Sequence, residues 1–174
     1  MSWIQTFTGK HFYPMSPRVE DIDIADVAHS LSLQCRFNGH CREFYSVAEH
    51  SVRVSRVLPV ERGLALWGLL HDAAEAYLSD LPRPVKMQVP LFEQAEDRLL
   101  EVIVRHFGLT EFPMPPEVKR ADDTLLATEC RDLLCPTDDP WRIDVEPLAA
   151  RIEPVGPQQA ERMFLERFRE LRQI

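Results

Sequence analysis

The 174-residue chain lacks the features that would place it in a membrane, in a secretory route or along a nucleic-acid duplex. No apolar run approaches the roughly 20 residues that a spanning helix needs, which argues against an integral membrane protein. The N-terminal residues do not follow the basic, apolar, small-residue order of a secretion signal, and Cys35, Cys41, Cys130 and Cys135 form no CxxC pair. The expectation is a cytoplasmic protein with reduced thiols; His40-Cys41 would be a fragment of a zinc site, but the irregular cysteine spacing favours free thiols. Basic charge is scarce, with 20 Lys and Arg against 28 Asp and Glu and a net charge of −8. Duplex binding draws its affinity from phosphate neutralisation, so any phosphate recognition must come from a local pocket. Internal repeats and low-complexity segments are also missing.

What remains fits one domain over residues 1–174, long enough to bury a core without disulfide or metal staples. Sheet-forming residues cluster only in WIQTFTGKHFYP, where Gly9 marks the turn of a small hairpin. Beyond it the pattern is helical. Ile24, Val27, Ala28 and Leu31 share one stripe, and Ser46-Val47-Ala48-Glu49 has the form of a capping box, so a helix starts there and runs to about Leu58. A second helix is predicted from Glu61 to Tyr77, stopped by Pro82 and Pro84, and a third from Phe92 to Phe107, closed by Gly108. FPMPPE reads as a rigid connector, Glu117 to Leu134 as a helix, and TDDPWRIDVEP as a loop. The last run aligns Ala160, Phe164, Phe168 and Leu171 on one face, the pattern of a packing helix.

Against that background the stretch LLHDAAEAYLSDLP stands out, because it sets His71 and Asp72 among leucines and alanines. Ionisable groups on an apolar surface are costly unless something pairs with them. Glu75 lies one turn beyond His71 on the same side. His50 shares its face with Val54 and Val57, and Asp122 sits at the centre of a face made of Val118, Leu125, Leu126 and Leu133. One such histidine would ordinarily be a satisfied core residue. Two histidines and two aspartates, turned inward from three separate helices, form instead a plausible divalent-metal set, and imidazole with carboxylate suits Mn, Fe, Co, Ni or Zn better than Ca.

His50, then His71-Asp72, then Asp122 resembles the H…HD…D signature of the HD-domain metal-dependent phosphohydrolases. GLLHDAAEAYLSDLPRPVK and VKRADDTLLATECRDL are similar to segments of the bacterial YfbR-type 5′-deoxynucleotidases. FTGKHFYP, DIDIADVAHSLS, CRFNGH, FYSVAEHS and MFLERF extend the likeness over nearly the whole chain to a phage and prophage branch that includes YfdR-type proteins and the dATP triphosphohydrolase DatZ. The resemblance implies an all-α HD-domain helical bundle with the small N-terminal β-hairpin. It also implies a divalent cofactor (Co, Mn, Zn or Mg) held by His50, His71, Asp72 and Asp122, and a homo-oligomer acting on a small deoxynucleotide.

By the same resemblance Glu75 orients or deprotonates the attacking water, and Asp80 lies near nucleophile or sugar, although an aspartate there also suits a turn cap. Arg36, Lys86 and Lys119 would converge on a phosphate chain, and Phe37 would stack on a base or sugar. The nucleotidase branch carries Trp beside its Arg, whereas this loop is one residue shorter and carries Phe37. Glu129, on Asp122's face two turns along, is open between a partner for a metal ligand and a mate for Arg131 or Arg53. The leading activity is release of triphosphate from a deoxynucleoside triphosphate such as dATP. The alternatives are a 5′-deoxynucleotidase on monophosphates and a non-catalytic nucleotide sensor.

Overall fold

Among the described residues, sheet is confined to the N-terminal segment, where the β-forming residues are. In the computed structural model, which describes residues 2–173, β1 (Ile4–Gln5) and β2 (His11–Phe12) pair antiparallel, Ile4 opposite Phe12. Gly9 turns the chain at φ 85°, a left-handed conformation open to glycine. Phe12 is fully buried and stacks on Tyr77 at 3.9 Å, and Asp26 accepts the Thr8 N–H, so the hairpin is docked on the helices.

Apart from one bridge between Cys35 and Ser46, the rest of the regular structure among the described residues is helical: α1 (Ile24–Leu33), α2 (Val47–Val57), α3 (Leu64–Leu70), α4 (Glu75–Leu78), α5 (Arg83–Lys86), α6 (Pro90–His106), α7 (Pro116–Leu133) and α8 (Pro157–Arg172). Local chemistry accounts for most of the boundaries. Asp23 caps α1 by accepting the Ala25 N–H, and Ser46 caps α2 by accepting that of Glu49. The Glu49 half of the expected capping box is not the reciprocal bond: its carboxylate turns to Arg53 and to the Val155 N–H. α6, α7 and α8 each begin on proline, which suits a first turn whose N–H groups have no helical partner. Gly108 ends α6 as expected, with Leu109 N–H reaching the Val104 carbonyl and Gly108 N–H that of Arg105.

The predicted continuous helix from Glu61 to Tyr77 is a correction. A short 3-10 turn over Glu61–Gly63 leads into α3, and the chain tightens at His71–Ala74 before α4 begins. There the backbone bonds shift to three-residue spacing, Ala73 N–H to Leu70 and Glu75 N–H to Asp72. The His71 ring binds the Gly68 carbonyl at 2.8 Å, competing for an acceptor of the last α3 turn. Pro82 and Pro84 end this region as anticipated, but Pro84 also opens the short α5.

α2 lies centrally, packed by α1, α3, α7 and α8. Every residue of α3 is buried against it or the neighbouring core. The two helices meet at Gly68, where an added methyl would lie 2.5 Å from Leu58 Cδ1 and 3.3 Å from the Ser55 backbone. Ala160 and Phe164 bury α8 as its pattern required. No described helix is long and apolar enough to cross a membrane.

Candidate metal centre

Three of these elements deliver side chains to one buried point. His50 enters from the second turn of α2, His71 and Asp72 from the tightened turn after α3, and Asp122 from α7. The His50 and His71 Nε2 atoms face each other at 3.2 Å. Asp122 Oδ1 lies 3.2 Å from the first and 3.9 Å from the second; Asp72 Oδ2 lies 3.8 and 3.2 Å away. His50, His71 and Asp122 offer ligand atoms all within 4.8 Å of one another, so this buried cluster could bind a metal ion.

The outer nitrogens decide what the inner ones are. His71 Nδ1 donates to the Gly68 carbonyl, and His50 Nδ1 donates to Glu129 Oε1 at 2.5 Å, since neither partner carries a proton to give. When both rings are neutral, each Nε2 presents a lone pair to the other and to two carboxylates. Four acceptors around one point require a cation or added protons. Two nitrogens roughly 2.1 Å from one ion and 3.2 Å apart subtend about 100°, an angle that divalent ions accept. The residues thus fit a divalent ion of the imidazole-binding kind.

Charge around the cluster follows from this. Burial alone would raise the Asp72 carboxyl, but His71, His50 and Arg36 outweigh it and hold the group well below the usual carboxylate range. Asp122 is likewise depressed, burial being outweighed by the hydrogen bond from His50 and the nearby His71 and Lys119. His50 moves the other way: burial and Arg36 lower it, yet Glu129 and Asp122 prevail and carry it to about 9 in the metal-free protein.

Glu129, for which no single role could be read, is fully buried and joins the site from behind. It holds His50 through one oxygen and accepts Arg36 Nε and Nη2 through the other, at 3.2 and 3.1 Å. Its position seven residues after Asp122 was the available signal. Arg36 also approaches Asp72 at 3.5 Å, so its guanidinium spans two carboxylates beside the metal set and is committed inside the protein. It sits in a turn where Phe37 (φ 55°) and Asn38 (φ 51°) are both left-handed. Phe37 lies under the Arg36 guanidinium at 5.3 Å and 6.0 Å from the Trp141 ring.

Glu75 is buried, its Oε2 has no hydrogen-bond partner among the described residues, and burial with Asp72 and Asp80 nearby raises its carboxyl well above the ordinary range. It shares a cavity of about 180 Å³ with His71, Asp72, Lys86 and Glu96. A second cavity, of about 540 Å³, is lined by Asp80, Arg83, Lys86, Met114 and Lys119, and shares Lys86 and Met114 with the first. Asp80, Lys86 and Lys119 are thus brought together, with Arg83 in addition. Arg36 and Phe37 are not among the residues lining either cavity. Lys86 is paired with Glu96 at 2.7 Å, and Lys119 with Asp122 and Asp123 at 2.9 and 2.6 Å. Gln34 ties the candidate catalytic segment together: its amide donates to the Glu75 carbonyl and accepts the Asp80 N–H.

No protein-family model matches the chain. It is 42% identical to YfdR of Escherichia coli K12, an uncharacterised protein, over 100% of this chain and 98% of YfdR. It is 34% identical to an uncharacterised protein of Rhodobacter capsulatus, over 69% of this chain and 65% of that one.

Proposed function

The chain belongs to the family of YfdR, with which it aligns from end to end, and we propose that it is an HD-type, metal-dependent phosphohydrolase of deoxynucleotides, releasing triphosphate from a deoxynucleoside triphosphate such as dATP. One observation carries the reading: two imidazole lone pairs and two carboxylates converge on a buried point, with an unpartnered buried carboxylate, Glu75, in the adjoining cavity. A nucleotide sensor has no need of that carboxylate.

His50, His71, Asp72 and Asp122 would hold a divalent ion (Co, Mn, Zn or Mg), which when bound would supply Lewis-acid polarisation of a phosphoryl oxygen. The side chains do the rest. Glu75 Oε2 orients the attacking water and takes its proton, and the desolvation that raises its proton affinity suits a general base. Asp80, which lines the larger cavity, is the group for the sugar. Lys86, Lys119 and Arg83 bring positive charge to the phosphate chain, with Lys86 and Lys119 exchanging their present carboxylate partners for phosphate oxygens. Arg36 acts one step back, holding Asp72 and Glu129. The choice of deoxynucleotide rests on the likeness of the sequence segments and on a cavity of suitable size for a small ligand.

The test is to incubate the protein with Mn, Co, Zn or Mg and each dNTP and dNMP, and to identify the phosphate product by chromatography. Triphosphate from dATP is expected. Orthophosphate from monophosphates alone would replace this reading with a 5′-deoxynucleotidase, and tight nucleotide binding without any release would make the protein a sensor.

A further inference from the structure

Cys35 and Cys41 are free, half-buried thiols whose sulfurs lie 4.0 Å apart. The turn between them carries Arg36. The chain reverses through left-handed Phe37, Asn38 and Gly39, and the His40 N–H returns to the Phe37 carbonyl at 2.9 Å. Its base is closed by Arg36 N–H to the Tyr45 carbonyl and Val47 N–H to that of Gln34, and Arg42 N–H fastens it to Leu133 on α7. The two sulfurs are therefore held together by a bonded turn. The Cys41 thiol donates to the Arg36 carbonyl at 3.2 Å, which links the pair directly to the residue that spans Asp72 and Glu129.

We propose that Cys35 and Cys41 are a site of reversible oxidation, closing an intramolecular disulfide with a hydroperoxide as oxidant, and that closure draws Arg36 away from the carboxylates behind the metal set. Cys35, as the thiolate, attacks a peroxide oxygen; the O–O bond breaks, hydroxide leaves and is protonated to water, and Cys35 becomes a sulfenic acid. The Cys41 sulfur then attacks that sulfur, forms the S–S bond and expels the oxygen as a second water together with its own proton. Two thiols are oxidised and one hydrogen peroxide is reduced to two waters. Burial and the neighbouring Cys35 push the Cys41 thiol up to about 11, so Cys41 keeps its proton, held on the Arg36 carbonyl, until the second step. Moving the sulfurs from 4.0 Å to roughly 2.05 Å removes the S–H that supports the Arg36 carbonyl.

The coupling to Arg36 rests on the metal reading above; the disulfide does not. The reduced full-length protein is treated with hydrogen peroxide, mapped by mass spectrometry without reduction, and titrated with Co²⁺ before oxidation, after it and after dithiothreitol. The expected result is a Cys35–Cys41 cross-link and Co²⁺ binding weakened by about tenfold, as for loss of a group that orients a ligand. Both effects are reversed by dithiothreitol and missing in Cys35→Ser and in Cys41→Ser, which bind Co²⁺ like the parent when reduced. Sulfinic acids at these positions without a cross-link, or a cross-link through Cys130 or Cys135, would overturn the site. A Cys35–Cys41 cross-link with unchanged Co²⁺ affinity would overturn the coupling. If the reduced protein takes up no Co²⁺ at all, the metal reading fails while the mapping still decides the thiol site.

Discussion

Replacing Glu129 by glutamine tests the logic of the centre without reference to any substrate. One Glu129 oxygen accepts from His50 Nδ1 and the other from Arg36, so the position needs acceptors on both sides. An amide offers one acceptor and one donor. If its oxygen faces Arg36, its NH₂ meets His50 Nδ1, which must give up its proton and send it to Nε2, the atom that faces the metal position. If its oxygen faces His50, the NH₂ opposes a buried guanidinium. Either outcome should weaken divalent-metal binding by about 10- to 100-fold, or roughly 1.4 to 2.7 kcal/mol. The metal-free protein also loses the buried carboxylate opposite Arg36, at a cost of about 3 to 5 kcal/mol. Calorimetric Co²⁺ titration and urea unfolding in EDTA measure the two effects separately. A Glu129→Gln protein that binds Co²⁺ within twofold of the parent would refute the assignment of the His50 proton to Nδ1.

Glu75→Gln should retain Co²⁺ affinity while losing deoxynucleotide turnover, whereas Asp72→Ala should lose both; an active Glu75→Gln enzyme would remove that residue from the water-handling role. The metal-free protein should also respond to pH through His50. Its folded value is raised from 6.5 to about 9, so its contribution is complete below 6.5 and disappears as pH rises through 9, a change on the order of 3 kcal/mol in urea unfolding with EDTA. Asp72 and Asp122 act in the opposite sense, stabilising above the ordinary carboxylate range and losing that contribution as pH falls below it. Bound Co²⁺ competes with the His50 Nε2 proton, so it should reverse the alkaline slope, and an unchanged slope would contradict shared occupancy of that nitrogen. Gly68→Ala should cost about 1 to 3 kcal/mol, because the new methyl meets Leu58 and the Ser55 backbone; an unfolding midpoint equal to the parent's would show that α2 and α3 can separate freely.

Periodicity was enough to turn His50 and Asp122 inward, because each lies on a regular helix whose apolar neighbours mark the buried side. A capping box placed the start of α2, and a glycine the end of α6, for equally local reasons. The break after α3 was hidden, since the apolar pattern runs through it; what tightens the chain is bonding within the site, including the His71 ring on the Gly68 carbonyl. Glu129 was hidden for another reason. Its partners, His50 and Arg36, are 79 and 93 residues away in sequence, and a helix face says nothing about which side chain of another helix it will meet. The cations show the same limit: Lys86 read as free positive charge, but α6 folds Glu96 against it. Faces within one helix were legible, whereas individual partners across helices, Glu129 with His50 and Glu96 with Lys86, were not.

Gly68 gives the centre a property that none of its ligands possesses alone. The two imidazoles arrive from opposite sides of the α2–α3 contact, and the closeness of that contact is set by a residue with no side chain. The 3.2 Å between the two Nε2 atoms is therefore an outcome of how closely two backbones pack, so the geometry of the centre depends on position 68 as much as on the side chains that line it.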